Sequence, residues 1–318
     1  MEEKSIKSKF QLNGKKIWVA GHNGMVGRSI IRKLKTVDCT ILTSSKTNLD
    51  LTSQIKVDNW IKKNRPDVIF LVAAKVGGIL ANINYPKQFL YDNTIISFNI
   101  INSAQKYKVK KLIFLGSSCI YPANCYQPIK EEYLLKSDLE KTNEWYSLAK
   151  IAGIKLCQAL RIQDKCDFIS VMPTNLYGPF DNFHPNESHV PAALLSRTHE
   201  AKVKRKNEVI VWGTGKPLRE FMHVDDLADA LIFISKNYSS LEPINVGTGQ
   251  EISIKNFALL IKEIVNFSGK ISFDDSKPDG IKRKLLDCSK INNLGWKPKI
   301  NLKKGLKDFY KWYLENYL

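Results

Sequence analysis

From Lys15 onward the chain repeats one unit: a short, continuously apolar run, then a longer stretch whose apolar residues recur at helical spacing. KKIWVAG, CTILTSS, DVIFLVAA and KKLIFLGSS are the runs; MVGRSIIRKLKTV, SQIKVDNWIKKN and FLYDNTIISFNIINSAQKYK lie between them. Strands without a polar face must be covered on both sides, and alternating amphipathic helices supply the cover. The pattern therefore predicts an α/β fold with a doubly wound parallel sheet.

The series continues with a helix over about 143–163 and another apolar run, DFISVMPTNLYG. After Gly178 the rhythm loosens into a polar loop, NFHPNESHV, a helix from about Pro191 to Lys204 and a short strand, EVIVWG. VDDLADALIFISKN reads as a helix and INVGTG as a returning strand; SIKNFALLIKEIVNF and LKKGLKDFYKWYLENYL close the chain as amphipathic helices. The expected organisation is an extension over 1–14, a larger unit over 15–178 and a smaller α/β unit over 179–318 that crosses back to the first sheet.

Two compositional features narrow the class. The six cysteines, Cys39, Cys119, Cys125, Cys157, Cys166 and Cys288, lack paired short spacings, so neither a zinc cluster nor a disulfide framework is expected. Reduced thiols in a cytoplasmic protein fit, and no apolar run is long enough to cross a bilayer. The net charge of +18 comes mainly from lysines spread along the whole chain, which reads as a solvated surface rather than a nucleic-acid patch.

Chemistry enters at the first strand-to-helix turn, Gly21-His22-Asn23-Gly24-Met25-Val26-Gly27. Glycines at that place allow a tight turn, approach of a pyrophosphate to the helix N-terminus and close helix–strand packing. A dinucleotide site in residues 15–178 follows. The second strand ends in Thr43-Ser44-Ser45-Lys46, with hydroxyls and a lysine where a carboxylate would reject a 2′-phosphate, so NADPH/NADP+ is favoured over NAD.

Tyr146 and Lys150 stand four apart on a helix and so present a phenol and an ammonium to one volume. A neighbouring positive charge is expected to lower the phenol's pKa and fit it for proton donation to a carbonyl as hydride arrives. The fourth strand ends in Gly116-Ser117-Ser118-Cys119, where a serine hydroxyl could hold the same carbonyl oxygen.

With these residues the chain resembles the extended short-chain dehydrogenases/reductases. GHNGMVG, AAKVGGILANINYP, LGSSCIYP, AKIAGIKLC, SVMPTNLYGPFDNFHPNESHV, VWGTGKPLREFMHVDD and SKPDG-x-x-RKLLD are similar to the epimerase-reductases of that family that act on GDP-4-keto-6-deoxy-D-mannose. The resemblance implies a Rossmann-type sheet with a smaller C-terminal substrate domain, and epimerisation at C3 and C5 followed by NADPH-dependent reduction at C4. It implies Ser117, Tyr146 and Lys150 as the reductive triad, and Cys119 and His189 as the base and acid of epimerisation, with His184 the alternative to His189 as the acid. Cofactor contacts are implied at Gly21, Gly24, Met25, Val26, Gly27, Ser44, Ser45, Lys46, Ala73, Ala74, Tyr146, Lys150, Pro173 and Leu176. For the GDP-sugar substrate it points to Asn175, Val190, Arg197, Trp212, Arg219 and Lys284, with core packing as the other reading of Trp212.

No metal is implied, because hydrogen bonds activate the ketone. A homodimer is, through the helix after Tyr85 and the one bearing Tyr146. One departure stands out: relatives often carry an arginine inside the glycine turn, where this chain has Asn23. A sister enzyme acting on another GDP-4-keto sugar, such as one forming GDP-colitose, would share nearly every motif. A non-catalytic nucleic-acid binder is disfavoured by the intact set of reactive residues, and nucleic acid and membrane are not expected as partners.

Overall fold

Residues 10–184, 187–277 and 279–317 are described by a computed structural model. The first nine residues of the expected extension, and Pro185, Asn186 and Pro278 within two of the quoted motifs, lie outside them. In chain order the first half forms β1 (Lys16–Ala20), α1 (Met25–Leu34), β2 (Thr40–Leu42), α2 (Gln54–Asn64), β3 (Val68–Leu71), α3 (Ile79–Asn84), α4 (Pro86–Lys106), β4 (Lys111–Leu115) and α5 (Glu144–Asp164). There follow β5 (Phe168–Pro173), β6 (Asn175–Tyr177), α6 (Val190–Val203), β7 (Glu208–Trp212), β8 (Leu218–His223), α7 (Val224–Asn237) and β9 (Ile244–Val246). The chain ends with β10 (Glu251–Ser253), α8 (Ile254–Val265), β11 (Lys270–Asp274), β12 (Arg283–Lys284), α9 (Ser289–Asn293) and α10 (Leu302–Asn316).

Six strands build one sheet in the order β2-β1-β3-β4-β5-β9, every neighbouring pair parallel. β3, β4 and β5 are buried along their whole length, as a sheet covered on both faces requires. The chain reverses its direction of sheet growth at β1, placing the crevice for a ligand beyond the C-terminal ends of β1 and β3.

One apolar run divides where a single strand is expected. Over 167–178 the chain makes β5 in the large sheet and β6 in a second one, where β6 pairs with β8. Pro173, paired with Val246, has no N–H with which to extend the ladder, and Thr174 turns the chain, its hydroxyl donating to the Glu220 carbonyl at 3.2 Å.

β8 is central to the smaller region, flanked by β10 and β12, while β7 pairs with β11. Two hydrophobic clusters result. The larger surrounds the six-stranded sheet and takes in Leu227, Leu231 and Ile234 of α7 and Ile291 of α9; the smaller gathers Tyr177, Phe183, Leu195, Phe221, Phe257 and Phe309. Phe221 stacks on Phe257 at 4.3 Å between ring centroids, tying β8 to α8.

Candidate active site

The glycine turn joins β1 to α1, and its three glycines meet different constraints. Gly21 has φ +100° and a Cβ there would lie 2.6 Å from the Ala73 nitrogen; one on Gly27 would lie 2.2 Å from the Gly21 carbonyl oxygen. Both are required by protein packing. A Cβ on Gly24 would meet only the Gly21 oxygen at an ordinary 3.6 Å, so the space above Gly24 is not taken by the protein. Gly24 also caps α1 without a side-chain hydrogen bond, and no acidic residue occupies the helix's first turn. A helix N-terminus that no side chain caps and a floor without a Cβ suit a diphosphate, so the residues present fit a dinucleotide.

The remaining cofactor candidates border the same sheet edge. Met25, Val26, Ala73, Ala74 and Leu176 are half-buried, Pro173 is buried, and Lys46 is exposed. Ser45 shares a hydrogen bond of 2.8 Å with Thr47. Asn23 accepts a bond at its carbonyl from Arg28 Nε at 2.9 Å, and the Arg28 guanidinium lies 4.3 Å from the Phe180 ring centroid.

At the end of β4 the chain enters a 3-10 turn over Ser118–Ile120, capped by Ser117, whose hydroxyl accepts from the Cys119 N–H at 3.2 Å. Ser147 of α5 fastens this turn by donating toward the Cys119 carbonyl at 3.0 Å and the Asn143 carbonyl at 2.9 Å. Cys119 and Tyr146 are thereby held together by main-chain anchors rather than by each other.

Lys150 is 2% exposed and donates to the Leu115 carbonyl at 2.8 Å; burial lowers its pKa to about 7. The expected lowering of the Tyr146 phenol is not found. Burial pushes it up, charge on Cys119 adds to the rise, and Lys150 Nζ sits 5.8 Å from the ring centroid. An ammonium that is itself partly discharged near neutrality cannot hold a phenolate, so Tyr146 is a phenol that stays protonated.

The Cys119 thiol is shifted down: burial would raise it, but the Lys284 ammonium and the Ser117 hydroxyl outweigh burial, against a smaller opposing effect of Glu140. Lys284 Nζ donates to Cys119 Sγ at 3.4 Å. His189 caps α6, and its imidazole is shifted down by burial and then by Lys284. Cys119 and His189 both keep accessible surface although desolvation acts on them first. Groups that are at once reachable and crowded line a recess.

Of the nucleotide candidates, Arg219 on β8 is in register with Lys284 on β12; burial lowers its pKa, opposed by charge on Cys119 and Asp279. Asn175 donates to the Glu220 carbonyl at 2.9 Å. Trp212 is 55% exposed, which removes core packing as its role, and Lys277 Nζ lies 5.9 Å from its ring centroid. Val190 and Arg197 project from α6 and are exposed, and among the described residues no hydrogen bond joins them to the Cys119 cluster.

Two other histidines make structural contacts. His223 caps α7, accepting from the Asp225 N–H at 3.2 Å, and His199 bonds the Tyr310 hydroxyl at 2.9 Å. Cys157 and Cys288 are buried, and Cys39, Cys125 and Cys166 pack against the core.

Two residues of consequence are not singled out by sequence. Ser147 lies inside the Tyr146–Lys150 interval itself. Glu220, fully buried, accepts from the N–H groups of Thr248 at 2.6 Å, Gly249 at 2.7 Å and Leu286 at 3.1 Å. The only signal for it is a carboxylate in the middle of LREFMH.

The chain is similar to known proteins over nearly its whole length. The model of the "NAD dependent epimerase/dehydratase family" matches residues 17–247. The chain is 56% identical to GDP-L-fucose synthase 1 of Arabidopsis thaliana over 95% of this chain and 94% of that one. It is 47% identical to GDP-L-fucose synthase of Escherichia coli (strain K12), over 96% and 98%. A crystal structure of a GDP-L-fucose synthetase from Naegleria fowleri bound to NADP superposes with a TM-score of 0.91 at 29% identity, covering 99% of this chain and 98% of that one.

Proposed function

The chain belongs to the NAD dependent epimerase/dehydratase family, and we propose that it converts GDP-4-keto-6-deoxy-D-mannose to GDP-L-fucose by epimerising C3 and C5 and reducing C4 with NADPH. The observation that carries this reading is the convergence of Ser117, Cys119, Tyr146 and Lys150 at the C-terminal edge of the sheet, next to the glycine turn.

NADPH, when bound, supplies the hydride. Gly21, Gly24 and Gly27 shape its diphosphate site, with Met25, Val26, Ala73, Ala74, Pro173 and Leu176 around it and Ser44, Ser45 and Lys46 placed for the 2′-phosphate. Lys150 holds the nicotinamide ribose. Tyr146, kept protonated by burial, gives its proton to O4, and Ser117 orients that oxygen.

The 4-keto group acidifies the neighbouring C–H bonds. Cys119 and His189 exchange protons with C3 and C5, while the two hydroxyls of Ser117 and Tyr146 steady the enolate between transfers. Arg219, Arg197 and Asn175 bind the nucleotide, and Trp212 and Val190 cover its base; the exposure of Trp212 supports this over a core role. Residues 15–178 form the cofactor unit and 179–318 mainly the sugar-nucleotide unit, a division supported by the two hydrophobic clusters.

We also read the enzyme as a cytoplasmic homodimer. Six cysteines without a disulfide suit a reducing compartment, and among the described residues no helix is long and apolar enough to cross a membrane. The test of activity is incubation with NADPH and the keto-sugar nucleotide in deuterated water. NADPH oxidation with deuterium at C3 and C5 is expected. Oxidation without label would reduce the enzyme to a simple 4-reductase, and no reaction would favour a sister substrate.

A further inference from the structure

Lys284 is expected at the nucleotide, yet the residue is only 9% exposed and the one described hydrogen-bond partner of its ammonium is Cys119 Sγ, 3.4 Å away. Among the described residues no carboxylate pairs with it. A buried ammonium is strongly unfavourable unless an anion balances it, and the group facing this one becomes an anion on losing a proton.

Neither partner reaches the other by chance of a loose side chain. β12 lies parallel to β8 with Lys284 opposite Arg219; just beyond it Leu285 N–H bonds Gln127 Oε1 at 2.9 Å and Leu286 N–H bonds the Glu220 carboxylate. Cys119 is fixed from the other side by Ser117 and Ser147.

We propose that Lys284 is a positioning residue for epimerisation: its ammonium holds Cys119 as a thiolate, in the orientation from which sulfur exchanges a proton with the sugar carbon. This rests on the reading of Cys119 as a proton-transfer group. In forming the pair the thiol releases its proton to water. The thiolate then takes a proton from the carbon beside the ketone, the C–H pair becomes the enolate double bond as the carbonyl pair moves to oxygen, and a proton delivered by His189 from the opposite face re-forms the C–H bond with inverted configuration.

The groups facing Cys119 are Ser117 on its own turn, Tyr146 of α5, Glu140 ahead of α5, Arg219 of β8 and Lys284 of β12; the net of these lowers the thiol, with Lys284 the largest favourable contribution. His189 also feels Lys284.

The test compares wild type, Lys284→Met and Lys284→Arg in the full chain. Iodoacetamide alkylation of Cys119 is followed against pH by peptide mass, with the other five cysteines as internal references. The wild-type half-reaction point should fall below the ordinary thiol range of about 8.5. Lys284→Met should move it up by about one unit or more, and Lys284→Arg should retain most of the lowering. A wild-type point at or above the ordinary range overturns the proposal without any variant, as does a Lys284→Met profile that overlays the wild type.

Deuterium entry at C3 and C5 of the keto-sugar nucleotide is the second measurement. It should slow about tenfold or more in Lys284→Met at neutral pH and recover as pH rises. A shifted alkylation profile with unchanged deuterium entry also overturns the proposal. If the wild type itself incorporates no deuterium, it is the functional reading that fails, and the alkylation profile separates that failure from this one.

Discussion

At the scale of single residues, burial sets the proposed role of Lys150 against stability. Its pKa of about 7 in the fold lies below the 10.5 of an unperturbed lysine. Between those values the unfolded chain binds more protons, so stability rises with pH across that window, and the full penalty of burying this amine is present at and below pH 7. The penalty is up to roughly 5 kcal/mol; removing the amine would also leave the Leu115 carbonyl unpaired, at about 1–3 kcal/mol. We expect Lys150→Met to unfold at higher temperature than the wild type at pH 7, by roughly 2 kcal/mol of stability, with the gain shrinking as pH approaches 10.5. Thermal unfolding across that range checks both sign and window. Tyr146 is different, because its hydroxyl makes no hydrogen bond among the described residues. Tyr146→Phe should leave the melting temperature unchanged and lower the rate of NADPH oxidation about 10²–10⁴-fold, while label still enters C3 and C5. The spacing of Tyr146 and Lys150 identifies the pair, but burial determines which way each is shifted, and burial is not visible in a four-residue interval.

At the scale of elements, the glycine turn is legible because each glycine has a separate steric reason. Gly21→Ala and Gly27→Ala would drive a methyl group into backbone at 2.6 Å and 2.2 Å, and each should destabilise the fold by about 2 kcal/mol or more. Gly24→Ala meets no such obstacle. It should shift the melting temperature little while weakening NADPH binding about tenfold, measured by fluorescence titration. Equal destabilisation by all three changes would remove the argument that Gly24 is kept for the cofactor. Strands with strong apolar runs, β1, β3, β4 and β5, are also evident from sequence. β10, β11 and β12 are not, because strands of two to five residues in partly exposed sheets carry too little periodicity. Glu220 is hidden for a related reason: its burial depends on three N–H groups from segments far along the chain. Glu220→Ala would leave those donors unpaired and should cost about 3 kcal/mol or more, whereas Glu220→Gln keeps an acceptor and should be milder. Chemical denaturation of the two variants measures the difference.

At the scale of the whole molecule, a doubly wound sheet normally buries the apolar stripe of each helix against itself, and α4 does this with Ile96, Ile100, Ile101 and Ala104. Its other side is not polar. Tyr91 is 58% exposed, and Ile95 and Phe98, four and seven positions on, are only half-buried and absent from the larger core cluster. Spacing of four and seven puts all three on one face. α5, packed alongside α4, adds Leu148, 38% exposed, and half-buried Ala152 at the next turn. Two adjoining 21-residue helices with matching apolar stripes form a surface that two copies can share about a twofold axis. The family resemblance points to these two helices, but the sequence does not separate the stripe facing the sheet from the one facing out. Phe98→Glu places a charge on the outer face without touching the Ser117, Cys119, Tyr146 and Lys150 cluster. Light scattering should show the wild type at twice the chain mass and Phe98→Glu at the chain mass, and a variant that remains dimeric would move the interface elsewhere. Because α5 also carries Tyr146 and Lys150, the monomer should lose turnover in step with its loss of helix order, read together by circular dichroism and NADPH oxidation.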